Sequence, residues 1–199
     1  FCPSIWGGKD WPPSAYSPAT GYLYIPANEN LCSALTGEKA KYQAGALYLG
    51  VPFEKIELLP TPEAKDHIGE LQAWNVDTQQ KVWTTSLGRT VNWGGVLATA
   101  GGLVFMGESN GWIRAYDATD GKVLWSFFCG AGVDGSPVTY ELDGRQYIAV
   151  PAGGIRYAQL KGNAILIFAL ALVWPLLLGT YFIVKPVLRA FWKNDPPDD

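Results

Sequence analysis

The sequence is poor in the side chains that most enzymes use for metal binding and acid–base chemistry. Of its 199 residues one is histidine, one is methionine and three are cysteine, namely Cys2, Cys32 and Cys129. No CxxC or CxxCH occurs, so a zinc ribbon and covalent haem attachment are unsupported, and an odd cysteine count leaves at least one thiol free. Basic residues are not in excess: 15 Lys and Arg face 18 Asp and Glu, a net charge of -3. That balance lacks the electrostatic footprint of a nucleic-acid binder. His67, in the polar stretch PTPEAKDH, reads as a solvated loop residue. The first residues carry no signal-peptide pattern, and Phe1 is not an initiator methionine. The expectation is therefore an upstream sequence bearing an export signal.

What the chain has in quantity is glycine, proline and tryptophan: 23, 14 and 9 residues. This composition suits many short strands joined by tight turns. One stretch occurs twice. Gly111–Trp125, GWIRAYDATDGKVLW, is preceded 42 residues earlier by Gly69–Trp83, GELQAWNVDTQQKVW. The copies share Ala73/Ala115, an aromatic at Trp74/Tyr116, Asp77/Asp117 and Trp83/Trp125. Each alternates apolar and polar residues, turns at Asp, and alternates again, which predicts a β-hairpin. A period of about 40–45 residues with such a hairpin in each unit is the signature of a β-propeller blade.

A second hairpin type is set by turn residues at 14–25, 94–107 and 136–150, and it alternates with the first type. The order predicts two full blades and part of a third, interrupted by an insert from Asn28 to His67. A stretch within it, AGALYLGVPFEKIELL, is long enough for a strand or two.

The one long apolar run is Gly162–Val184, 23 residues without a charge. Crossing a bilayer as a helix takes about 20 such residues, and a core strand would need about a third of that length. A transmembrane helix is expected here, bent near Trp174 by Pro175 and Gly179. Lys185, Arg189 and Lys193, with Phe191 and Trp192, extend it as a basic interfacial segment. The fold class read from sequence is thus all-β, a partial propeller over residues 1–158. A transmembrane helix with its extension follows over 159–193, then an acidic tail over 194–199. The basic end of the helix places the tail in the cytoplasm and the propeller in the periplasm.

Several segments together resemble the pyrroloquinoline-quinone (PQQ)-dependent alcohol dehydrogenases, the methanol/ethanol quinoprotein family. They are FCPSIWGGKDWPPSAYSPATGYLYIPANENLC, the two Ala-to-Trp repeats, NWGGVLATAGGLVFMG and DGSPVTYELDGRQYIAVPAGG. The resemblance covers Phe1 to about Gly154 and only the last third of such an enzyme. It implies an eight-bladed propeller with quinone and metal on its axis. It also implies that Ala73, Trp83, Ala115 and Trp125 belong to tryptophan-docking motifs that lock adjacent blades. Trp93, with Asn92 before it, matches a position near the quinone. Asp10 matches a position where the family usually carries Asn; a carboxylate there accepts hydrogen bonds but cannot donate them.

The resemblance further implies a Cys2–Cys32 disulfide, which leaves Cys129 free. No catalytic residue or metal ligand can be assigned, because the family's catalytic Asp, metal-binding Glu and Asn, and quinone-clamping Arg belong to earlier blades. GNAILIFAL looks like the family's last strand, but the helix expectation assigns those residues to the membrane. The first functional expectation is the C-terminal portion of a membrane-anchored periplasmic quinoprotein alcohol dehydrogenase, with PQQ possible and its remaining blades as partners. The second is a non-catalytic propeller remnant serving as a structural subunit of a respiratory or photosynthetic membrane complex. The third is a propeller module for binding or assembly, unrelated to redox chemistry.

Overall fold

A computed structural model describes residues 1–39, 42, 44–45, 50–64, 66–154 and 160–170. The first strands are β1 (Ala15–Ser17), β2 (Tyr22–Asn28), β3 (Leu31–Leu35) and β4 (Ile56–Pro60). The first repeat makes β5 (Gly69–Asn75) and β6 (Gln80–Ser86), and these join β1 and β2 in a four-stranded antiparallel sheet ordered β1-β2-β5-β6. The second sheet repeats this plan with β7 (Val96–Ala98), β8 (Leu103–Gly107), β9 (Trp112–Asp117) and β10 (Val123–Phe128). A third sheet has three strands, β11 (Val138–Leu142), β12 (Arg145–Ala152) and β13 (Ala164–Ala169). The insert contributes β3 and β4, paired with each other from Leu31 opposite Pro60 to Leu35 opposite Ile56.

The repeated Ala and Trp stand opposite each other across each hairpin, Ala73 with Trp83 and Ala115 with Trp125. A methyl group leaves the space that an indole fills. Trp83 then packs into the core between the first two sheets, with Tyr24, Leu71, Val104, Met106 and Tyr116. Its Nε1 donates to the Ala118 carbonyl at 3.3 Å, and the Tyr24 hydroxyl donates to the same oxygen at 2.9 Å. Gly121, at φ +73°, lies under the indole; a Cβ there would stand 2.4 Å from Trp83 Cε3. The left-handed turn and the close approach both call for glycine. The second core joins sheets two and three through Phe105, Ile113, Val133, Ile148, Val150 and Phe168. Trp125 packs against it half-buried, its ring 5.1 Å from that of Phe168.

One expectation is corrected here. Ala164–Ala169 is not the start of a helix: β13 pairs with β12 from Tyr147 opposite Ala169 to Ala152 opposite Ala164. The strand buries Phe168 and completes the second core, so these residues remain with the propeller. No helix among the described residues is long and apolar enough to cross a membrane. The remainder of the expected helix, its basic extension and the tail lie outside the described residues.

The Cys2–Cys32 disulfide is present. It ties the N-terminal segment to β3, reinforced by the Phe1 amino group on the Ser33 carbonyl at 2.8 Å and the Ile5 amide on Ser33 Oγ at 2.9 Å. Cys129 is a free thiol, and burial pushes its pKa up to about 12.

Candidate functional site

The segment Thr90–Gly95 carries the chain from β6 to β7 and presents Trp93. Its shape comes from a buried amide pair. The Asn92 backbone N–H donates to Asn28 Oδ1 at 2.6 Å, and Asn28 Nδ2 donates to the Asn92 carbonyl at 3.4 Å. Asn92 Oδ1 accepts from the Gly94 N–H at 3.0 Å, while its Nδ2 meets Met106 Sδ at 3.5 Å. The Asn92 side chain is thus turned into the protein, where it holds the turn beneath Trp93. Gly94 passes against β8 so closely that a Cβ would fall 2.0 Å from the Gly107 carbonyl. This close passage explains the NWGG spacing: two glycines let the backbone settle while the indole projects.

Trp93 is 6% exposed. Trp6 meets it edge-on with centroids 5.2 Å apart, and Trp11 stacks on it at 6.1 Å. Asp10 lies beside this group, with its Oδ1 accepting the Trp11 N–H at 2.8 Å. Trp6 and Trp93, with Leu58 of β4, give apolar walls to a cavity of about 290 Å³. Arg89, Thr90, Ser109 and Asn110 supply polar groups around it. The Ser109 hydroxyl donates a short hydrogen bond to buried Asp134. Asn110 Nδ2 donates to Glu108 Oε2 at 3.0 Å.

Glu108 in turn pairs with Arg114 Nε, and the Arg114 guanidinium lies 5.2 Å from the Trp112 ring centroid. Burial acts to lower the Arg114 pKa, but the Glu108 carboxylate outweighs it and holds the guanidinium above its ordinary value. Tyr116 is raised far above the ordinary phenol range, mainly by burial and then by the charge of Glu108. Asn110 thus links the cavity wall to the buried Glu108–Arg114 pair. Among the described residues no cluster of three or more His, Cys, Asp or Glu side chains could hold a metal.

The structure therefore brings Trp93 to the cavity, puts Asp10 next to its stacking partner and uses Asn92 as a structural support. Trp6, Arg89 and the Ser109–Asp134 pair were not singled out from sequence. A signal for Trp6 existed: Trp6-Gly7-Gly8 repeats the WGG of Trp93-Gly94-Gly95. His67 is corrected too. Its ring is 21% exposed, not solvated, and lies between the carboxylates of Asp66 and Glu70.

Four-stranded antiparallel sheets, docked face to face by a tryptophan on the last strand of each, are β-propeller blades. Residues 1–148 match the family "PQQ: Glucose/ethanol/alcohol dehydrogenase, beta-propeller domain". The chain belongs to this family of quinoprotein propellers. It is 43% identical over 151 residues to 1-butanol dehydrogenase (quinone) from Thauera butanivorans, covering 76% of this chain and 23% of that protein. It is 39% identical over 166 residues to the lanthanide-dependent methanol dehydrogenase of Methylacidiphilum fumariolicum, covering 80% and 26%. Among solved structures, a europium-containing methanol dehydrogenase aligns with a TM-score of 0.69 and 38% identity over 77% of this chain and 26% of that one. The chain thus spans about a quarter of the length of these relatives.

Proposed function

We propose that this chain is the C-terminal portion of a membrane-anchored, periplasmic, PQQ-dependent alcohol dehydrogenase, and that the Trp93 cavity is one wall of its quinone site. The observation that carries this reading is the buried Trp93 indole lining a cavity in a chain of this family. A flat quinone with carboxylate arms needs an aromatic surface and a cation; Trp93 and Trp6 offer the first and Arg89 the second. When bound, PQQ accepts the two electrons removed from an alcohol. This chain's part is to hold one edge of that group and to exclude water from it. Asp10 does not fit a hydrogen-bond donor's role, because a carboxylate only accepts. That misfit is the observation favouring the second reading, a propeller remnant that serves as a structural subunit of a membrane complex.

The Trp93→Phe variant of the full-length protein tests the site. It should weaken PQQ binding about 3- to 10-fold, the worth of an aromatic contact beyond its area. Binding unchanged within twofold would remove Trp93 from the site.

The anchor would lie in the residues after β13. Ala171–Val184 supplies 14 uncharged residues, so Lys185 and Arg189 would have to snorkel for a helix to span. The Cys2–Cys32 bridge supports an oxidising compartment for the propeller. The exposed turn residue Lys122 suits a labelling test. In Lys122→Cys, a membrane-impermeant maleimide should react in cells with only the outer membrane opened. Cys129 should give little background near neutral pH, because burial raises its thiol pKa, and the wild type measures that background. Labelling that requires a permeabilised inner membrane would overturn the topology.

A further inference from the structure

One hydroxyl in the lining of the Trp93 cavity has its proton committed to the protein. Ser109 lies in the β8–β9 turn, lines the cavity and is 9% exposed. Two acceptors are in range of its hydroxyl, Asp134 Oδ1 at 2.5 Å and the Val91 carbonyl at 3.5 Å. A hydroxyl has a single proton, and the short bond to a carboxylate is the stronger of the two. Asp134 is buried on the segment between β10 and β11. The backbone holds the pair in register, because the Val133 N–H, one residue before Asp134, donates to the Glu108 carbonyl, one residue before Ser109, at 3.0 Å. A serine without such a partner can turn its proton toward a ligand or away from it. Here Asp134 removes that choice, so a ligand that meets Ser109 finds an oxygen that accepts and does not donate. Arg89, in the same lining, has the opposite character: its guanidinium donates only and carries a positive charge.

We infer that Ser109 determines specificity in this cavity: with Arg89 it selects a flat ligand edge that carries an N–H or O–H donor beside an anionic group. Asp134 is the positioning residue that sets this polarity through the Ser109 hydroxyl. The inference rests on the quinone reading of the cavity and narrows it to one edge of the quinone. PQQ has a single ring N–H, on its pyrrole, and a carboxylate stands next to it. That edge complements an accepting oxygen and a guanidinium. The pyridine edge also carries carboxylates, but its ring nitrogen offers a lone pair, which would face the Ser109 oxygen lone pair to lone pair. Leaving two buried acceptors opposed in this way is costly. The pair therefore assigns the pyrrole edge to this wall and turns the pyridine edge away from it.

Two small probes of one shape test this on the full-length protein in its quinone-free form: pyrrole-2-carboxylate, which has the N–H, and furan-2-carboxylate, which has an oxygen in its place. Binding is read from the indole N–H signals of Trp6 and Trp93 by NMR, so that only occupancy of this cavity counts. The wild type should bind the pyrrole about tenfold tighter than the furan, the worth of one hydrogen bond to a buried acceptor. Ser109→Ala should weaken the pyrrole about five- to tenfold and leave the furan within about twofold, so that the preference disappears. A loss of packing alone would weaken both probes together. Arg89→Ala should weaken both, because each carries the carboxylate. Equal binding of the two probes by the wild type, a preference that survives in Ser109→Ala, or indole signals that neither probe moves would each overturn the assignment. The wild-type comparison needs no variant, so it decides even if Ser109→Ala does not fold. PQQ itself, titrated in the same way, tests the parent reading separately: a protein that keeps the pyrrole preference but does not bind PQQ supports the role of Ser109 and rejects the quinone site.

Discussion

Trp83→Ala should destabilise the propeller by about 3–5 kcal/mol, the cost of truncating a buried large aromatic. The size follows from what the indole does. It fills the junction between the first two blades, donates to the Ala118 carbonyl, and lies flat over Gly121, whose own carbonyl accepts from Thr85 Oγ1 at 2.7 Å. Removing it leaves a cavity that Tyr24, fixed by its own bond to Ala118, cannot fill. Trp125→Ala should cost roughly half as much, because that indole keeps one side partly in water and the cost scales with area buried. Denaturant melts of the two variants check the ordering. Equal losses, or a larger one at Trp125, would contradict the account of how the blades dock.

Removing the disulfide with Cys2→Ala and Cys32→Ala should cost about 3–4 kcal/mol in the chain-entropy model for a loop of this length. The bridge joins positions 30 residues apart. It also holds Phe1 and Ile5 against Ser33, and that segment leads to Trp6 in the cavity wall. The double variant should therefore lose stability and open the cavity together. Thermal unfolding with and without reductant checks the first effect; a wild type whose transition does not move under reduction would exclude a structural bridge.

Much of the propeller was legible because the cause was local. The Ala-to-Trp spacing became a cross-strand pair in both hairpins, and the Asp-containing turns fell between the paired strands. Ala164–Ala169 was assigned to the helix although GNAILIFAL resembles the family's last strand, since an unbroken apolar run by itself reads equally as buried strand or membrane helix. What decided it was pairing with β12, which the run itself does not encode. The same limit applies to His67. Asp66 is its neighbour in sequence, but Glu70 reaches it only because β5 begins where it does. At the site, NWGG pointed to Trp93, while the partner that shapes its turn, Asn28, lies 64 residues away. The insert hairpin that brings Leu58 to the cavity likewise rests on long-range pairing between β3 and β4.

The measurement closest to the central claim is made on the protein isolated from its own membranes: intact mass, N-terminal sequence and extractable PQQ on one sample. The account predicts a polypeptide several times larger than the 21.7 kDa of these residues, carrying PQQ in near-stoichiometric amount. A mature polypeptide near 21.7 kDa without PQQ would contradict it and leave the structural-subunit reading.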